Sequence, residues 1–483
     1  METSTQHIEQ MVESRLNSIK KIVDLDPGVV TGLAKFIIAA KDEELFRMSP
    51  YWYADKVGME PQKAINLFLY ATHAGLLEFN WGVLCPSCGA FLSTKSGLRW
   101  LKSGEHCSLC ALPFEANLDE EIEVAFTISP SVRPIRFHNL ENLDFEKDGM
   151  FVFFSSSIAL YPEVHKVVHG SFHSSFQVES GKISELELDL ENDHYVLMAP
   201  VTHSTGHIPV GNENDKHFAE FELLLDGQIT PETIPLGPGP AKIYVHNRTK
   251  EKVVVGLLKD ARIAPFDNET REYPIQPLFS ISPYLRGKQL ISNQIFRDLF
   301  HAESIPSGGG LEFKSMTFLF TDLKGSTAMY DRIGDFQAYS LVNAHFALLR
   351  GIIAAEGGAV IKTMGDAIMA SFAAPVGAVI AAQLMLREMK NLGLGEDLIL
   401  KIGVHSGPTL AVSANNQLDY FGQTVNIANR VQSQANPGEI IITEPVYSAS
   451  EVRDLLDVKK LAAAPEQVSL KGVAEDISFF RLH

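Results

Sequence analysis

Apolar positions in the first 80 residues recur at helical spacing. Ile8, Met11, Val12, Leu16 and Ile19 fall on one face of a helix. Tyr51 to Gly58 reads as a short helix stopped by glycine, and Pro61 starts a second that runs through Ala71. Gly75 then turns the chain into Leu76-Leu-Glu-Phe79. Helix, turn, helix, strand is the order of a winged-helix-like module over residues 1–80. Its second helix carries Lys63 as its only cation, which favours a scaffold or dimerisation role over DNA reading.

The pattern changes past residue 118. Alternating runs at Glu121–Ile128, Met150–Phe154, Lys182–Leu190, Tyr195–Met198, Phe218–Leu225, Ala241–Val245 and Lys252–Leu258 predict short strands. Turn residues such as Gly181, Asn192-Asp193 and Gly237-Pro238-Gly239 separate them, so 118–277 reads as a β-rich, sandwich-like domain. His165, His169 and His173 recur every four residues, but Gly170 and Ser171 oppose a helix there, and they read as solvated polar residues. In 278–312, Leu285, Ile291, Ile295, Leu299 and Phe300 predict one amphipathic connector helix, followed by the hinge Gly308-Gly309-Gly310.

From residue 313 to 483, strand and helix periods mix. Tyr339, Val342, Phe346, Leu349 and Ile353 mark a long helix. Val360–Phe372 reads as a hairpin, a helix follows from Pro375 to Leu392, and Leu398–Val404 is a strand. A further helix runs from Thr424 to Gln434. This is a β-α-β-β-α-β, ferredoxin-like plan, and the whole chain is multidomain α+β.

Composition narrows the field. A 483-residue chain with a net charge of −18 lacks the basic surface that nucleic acid or anionic membrane would need. The N-terminus has no apolar leader, and the apolar run at Ala373–Met389 is too interrupted to span a bilayer, so a cytoplasmic protein without a membrane span is expected. The four cysteines cluster as Cys85-Pro-Ser-Cys88 and Cys107-Ser-Leu-Cys110, 18 residues apart. Two such knuckles match a closed, structural four-thiolate zinc site, placing a zinc ribbon at 81–117, and this reading is favoured over a disulfide pair or buried thiols.

The chemistry concentrates on Asp322 and Asp366. Asp322 ends the apolar run from Met316 and opens a small-residue loop; Asp366 sits at the tip of the hairpin. Two carboxylates on neighbouring strand ends can hold two hard cations, the arrangement used for in-line attack on phosphate.

Four ordered motifs now stand out: Phe320-Thr-Asp322-Leu-Lys-Gly-Ser-Thr, Lys362-Thr-Met-Gly-Asp366, Gly403-Val-His-Ser-Gly407 and Asp419-Tyr-Phe-Gly-Gln-Thr-Val-Asn426-Ile-Ala-Asn-Arg430. Together they resemble the class III nucleotide cyclases. The region ahead of them, with its cysteines and strands, resembles the poorly characterised N-terminal part of some bacterial cyclases. The first resemblance implies roles. Asp322, Asp366 and the carbonyl of Leu323 would bind two Mg2+ or Mn2+ ions. Lys324, Gly325, Ser326 and Thr327 would offer backbone N–H groups to the triphosphate of ATP. Lys362 and Asp419 would read adenine, because Lys can donate to N1 and Asp can accept from N6. Asn426 would position the ribose, Arg430 would stabilise charge at the α-phosphate, and Lys471 would hold the terminal phosphates. Both halves of a site lie on this chain, so a homodimer with shared sites is implied. The family's mammalian members place an arginine after His-Ser-Gly, where this chain has Pro408. The implied activity is adenylate cyclase, with residues 1–277 answering an unknown ligand or protein. Guanylate cyclase and a low-turnover nucleotide-binding regulator are the alternatives.

Overall fold

The computed structural model describes residues 2–22, 26–86, 88–97, 104–109, 112–115, 119–160, 171–211, 216–259, 279–300, 311–391, 398–414, 417–459, 464–473 and 476–482. Two compact units emerge. One comprises Met1–Ala116 and Glu121–Leu285, the other Asn117–Glu120 and Arg286–His483.

The first unit begins with helices at Glu2–Ile22, Pro27–Ala39, Pro50–Val57 and Pro61–His73. Val12, Leu16 and Ile19 are buried, as their spacing requires. Gly58, at φ +68°, ends the third helix, and the Glu60 carboxylate caps the fourth. The strand that follows, Leu77–Leu84, is central in a three-stranded sheet between Phe91–Lys95 and Ile122–Ile128. It carries the fully buried Trp81, so it is a core strand and not an arm of an exposed wing.

Past it, two four-stranded sheets share one core built from Tyr195, Leu197, Phe221, Ile243, Val245 and Val255 among others. Met150–Phe154 departs from the strand expected there. It lies largely in a helix, Phe145–Phe153, capped by Asp144, whose carboxylate accepts from Lys147 N–H. Phe145, Gly149, Val152 and Phe153 form its buried stripe, a spacing that a run of adjacent apolar residues conceals. His173 sits exposed on a strand, Phe172–Val178, which excludes helical spacing for it. His165 and His169 lie outside the described residues.

The second unit is labelled in its own chain order. The expected connector helix is two short ones, α1 (Gly287–Ile291) and α2 (Gln294–Leu299). The break falls at Ser292-Asn293, where Asn293 Oδ1 caps α2 by accepting from Phe296 N–H at 3.0 Å. The glycine hinge at 308–310 lies outside the described residues. Then come β1 (Leu311–Lys324), α3 (Ser326–Ile333), α4 (Asp335–Ala355), β2 (Gly358–Met364), β3 (Ala367–Phe372), α5 (Pro375–Asn391) and β4 (Ile399–Ala414). β5 (Gln417–Phe421), α6 (Gln423–Ser433), β6 (Ile440–Thr443), α7 (Glu444–Tyr447), α8 (Ser450–Val458), β7 (Pro465–Val468) and β8 (Ile477–Leu482) follow.

The sheet runs β2-β3-β1-β4-β6-β8-β7, with β5 paired to β4. β1 to β4, with α4 and α5 as crossovers, have the strand order of the ferredoxin-like plan. Leu319, Leu323, Ile402 and Val404 face a core closed by α4 and α5. By strand alternation Asp322 faces the opposite side, where α6 packs Ile427 and Val431 on Ile441 and Phe479. α4 is long and apolar enough to cross a membrane by length and composition. Yet it lays Ala338, Val342, His345, Leu349 and Ile353 into this core. The same unit takes in Asp119 from far upstream. Its carboxylate pairs with Lys288 Nζ at 2.9 Å and accepts from the Lys314 N–H.

Candidate active site

Strand register brings the two aspartates to adjacent strand ends. β1 and β3 pair antiparallel down to Phe320 opposite Met369. The Ile368 N–H then donates to Thr321 Oγ1 at 3.1 Å, which carries the alignment to the level of Asp322. Asp366 lies just before β3, in the two-residue turn that Gly365 makes possible at φ +66°. Both carboxylates are half-buried, and neither has a hydrogen-bond or ion-pair partner among the described residues. Carboxylates on adjacent strand ends offer the oxygen ligands that a hard cation takes. Behind them, burial pushes the His345 imidazole down to about 4, with the Asp366 charge opposing the shift.

Leu323 and Lys324 complete β1, and Gly325 is a one-residue turn at φ +93° into α3. Ser326 and Thr327 thus form the first turn of a helix and not an extended loop. Backbone N–H groups at such a start are free to meet an anion.

Lys362 and Asp419, 57 residues apart, meet directly: Nζ to Oδ2 is 2.7 Å. Asp419 is held in aim because its Oδ1 accepts the Tyr420 N–H at 2.8 Å. The pair is part-exposed, so it stays accessible to a ligand.

Asn426 and Arg430 sit one turn apart on α6, away from the buried Ile427, Ala428 and Val431. Arg430 reaches the loop that holds Lys471. A Cβ placed on Gly472 would stand 3.5 Å from its Nη1. Lys471 is exposed beside it.

The glycines of Gly403-Val-His-Ser-Gly407 have a packing cause that sequence reading missed. A Cβ on Gly403 would lie 2.3 Å from the backbone nitrogen of Gln432, and one on Gly407 2.8 Å from Thr424 Oγ1. α6 therefore rests on bare backbone. Pro408 is exposed, and its carbonyl accepts the Thr424 hydroxyl at the start of α6. Between the glycines, burial holds His405 at about 4, its Nδ1 within 2.8 Å of Thr443 Oγ1.

In the other unit, the sulfurs of Cys85, Cys88 and Cys107 lie within 4.8 Å of one another. Cys88 and Cys107 are 3.8 Å apart, far beyond a disulfide. Tetrahedral thiolates at ~2.3 Å from a zinc ion would stand about 3.8 Å apart. Cys110 lies outside the described residues.

Comparison with known proteins gives two family matches. Residues 10–298 match a family of unknown function, DUF5939. Residues 311–483 match the adenylate and guanylate cyclase catalytic domain. The chain is 24% identical over 246 residues to the human guanylate cyclase soluble subunit beta-2, covering 48% of this chain and 36% of that protein. It is 31% identical over 165 residues to an uncharacterized Mycobacterium tuberculosis protein, covering 34% and 40%. It thus spans well under half the length of these relatives. Among solved structures, the adenylyl cyclase CyaB from P. aeruginosa is 22% identical, covering 36% of this chain and 96% of that one, at a TM-score of 0.33. The chain therefore belongs to the DUF5939 family, and its C-terminal residues 311–483 are a class III adenylate and guanylate cyclase catalytic domain.

Proposed function

We propose that this protein is an adenylate cyclase, converting ATP to 3′,5′-cyclic AMP and pyrophosphate. The observation that carries the choice of base is the 2.7 Å contact between Lys362 and Asp419. A donor and an acceptor held side by side match adenine, which offers an acceptor at N1 and a donor at N6; guanine reverses that pattern. Asp322 and Asp366, with the Leu323 carbonyl, would hold two Mg2+ or Mn2+ ions. Such ions lower the pKa of an attacking hydroxyl and neutralise a triphosphate. The first turn of α3 meets phosphate oxygens with backbone N–H groups. Asn426 orients the ribose, and Arg430 and Lys471, gathered at Gly472, meet the charge that develops as the α-phosphate is attacked.

The metal carboxylates and the Asn426–Arg430 pair both come from this chain, so a homodimer would form two equivalent sites by lending each to the other. In the N-terminal unit, Cys85, Cys88 and Cys107, with Cys110, would hold one structural zinc. Cyclic AMP formation by the purified full-length protein with Mn2+ tests the reading. Asp366→Ala should lower that rate at least ~10³-fold, as loss of a major transition-state charge stabiliser does. Near-normal turnover by the variant would exclude the metal assignment. Preferential use of GTP would replace the adenine reading with the guanine one.

A further inference from the structure

α2 has six residues, and three of them are tied to the catalytic sheet or to α4. Gln294, 6% exposed, accepts the Val360 N–H at 2.7 Å through Oε1. Through Nε2 it donates to Asp298 Oδ1 at 2.9 Å, and Asp298 in turn accepts from Arg350 of α4. Arg297 donates to the Leu418 carbonyl, and its guanidinium lies 5.9 Å from the Tyr420 ring centre.

These contacts fall beside the base-facing pair on both strands. β2 slips register between Val360 and Lys362: Val360 stands opposite Ala370, and Lys362 opposite Met369. The extra residue, Ile361, makes a bulge, which re-aims the side chain that follows and breaks the ladder. Gln294 supplies the acceptor at that break. On β5, Leu418 immediately precedes Asp419. β2 and β5 are not neighbours in the sheet, and α2 bridges them. A cleft of about 250 Å³, lined by Gln294, Arg297, Lys362 and Leu418, lies between α2 and the strands. Besides the sheet ladder and the direct Lys362–Asp419 bond, Gln294 and Arg297 tie both strands to one short helix. The DUF5939 match ends at residue 298, inside α2, so this helix belongs to the N-terminal family and not to the cyclase match.

We propose that Gln294 and Arg297 are positioning residues for base recognition. They hold Lys362 and Asp419 at the spacing that accepts adenine, so purine preference is set from outside the catalytic domain proper. The proposal rests on the reading that Lys362 and Asp419 contact the base.

The test uses the full-length protein and Mn2+, with KM and kcat measured separately for ATP and GTP. Gln294→Met and Arg297→Met should each raise KM for ATP and reduce the ATP-over-GTP ratio of kcat/KM at least ~5-fold, a loss of the order of one polar contact. Arg297→Lys, which retains a donor for the Leu418 carbonyl, should recover at least half of that ratio. Without turnover, competition by ATP and GTP against a bound fluorescent ATP analogue gives the ratio of their affinities, which should shift in the same direction. If Arg297→Met does not fold, Gln294→Met and Arg297→Lys carry the comparison. A merely structural role would lower kcat for both nucleotides together and leave the ratio unchanged, which overturns the proposal. Lys362→Ala separates the two levels. A shifted ratio there with none in the α2 variants sinks the positioning role alone; an unshifted ratio sinks the base-reading pair itself.

Discussion

Gly403→Ala adds one methyl group where α6 leaves no room. The new Cβ would meet Gln432 backbone atoms at 2.3 and 2.4 Å, whereas ordinary contact begins near 3.4 Å. Backbone cannot rotate aside as a side chain does, so α6 has to withdraw by about 1 Å or β4 has to bend by as much. Overpacking of this kind costs about 1–3 kcal/mol of stability. The larger effect should be on rate, because α6 carries Asn426 and Arg430. A 1 Å misplacement of reacting groups costs about 10²-fold, or about 2.7 kcal/mol of barrier. The control is Gly377→Ala in α5. Its Cβ would meet the Glu356 carbonyl at 2.5 Å, a clash of similar size on a helix that bears no site residue. Initial rates of cyclic AMP formation at saturating ATP, on protein shown by thermal unfolding to be folded, give the comparison. Gly403→Ala should lose about two orders of magnitude in kcat and Gly377→Ala only stability. A folded Gly403→Ala protein within threefold of the parent kcat would refute the reasoning, as would an equal rate loss in Gly377→Ala.

Three further outcomes are expected. His405 is neutral in the fold and binds a proton near 6.5 once unfolded, so its contribution is complete above pH 6.5 and lost as pH falls to about 4. That is about 1.4 kcal/mol per pH unit, and His405→Asn should flatten the acid limb of the melting temperature by that share; an unchanged limb counts against a neutral buried imidazole. Purified, reduced protein should hold one zinc per chain and Cys107→Ser should lose it, whereas metal analysis finding none in the parent protein removes the site. Asp366→Ala and Arg430→Ala, each nearly inactive, should regain roughly a quarter of wild-type activity when co-expressed, because about half the dimers would hold one intact site. Doubly tagged heterodimers as inactive as their parents would show that each site is built within one chain.

Periodicity located the long elements because their burial is one-sided. Val342, Leu349 and Ile353 are inside α4, though Tyr339, read with them, is exposed. Adjacent apolar residues at Met150–Phe154 have no period, so strand and helix could not be told apart, and the Asp144 cap was the signal that decided. The connector's apolar spacing ran across Ser292-Asn293 without showing the cap that splits it. Motifs pointed to Lys362 and Asp419 through resemblance, but nothing local states that residues 57 apart touch. The roles of Gln294, Arg297 and Gly403 were illegible for the same reason: each acts on a neighbour that only the tertiary fold supplies.

Asp119 carries a practical consequence for anyone who cuts this chain. A fragment starting near residue 305 looks natural, since the cyclase match begins at 311. It would discard Lys288, both connector helices and the aspartate that accepts the Lys314 N–H. The Val360 N–H and the Leu418 carbonyl would lose their side-chain partners in the same stroke. Starting at Arg286 restores the helices and still omits Asp119. A rate difference between full-length and shortened protein would then report missing supports as readily as a missing regulator. Point substitutions inside the N-terminal unit, with every residue of the catalytic unit left in place, are the cleaner way to ask what that unit controls.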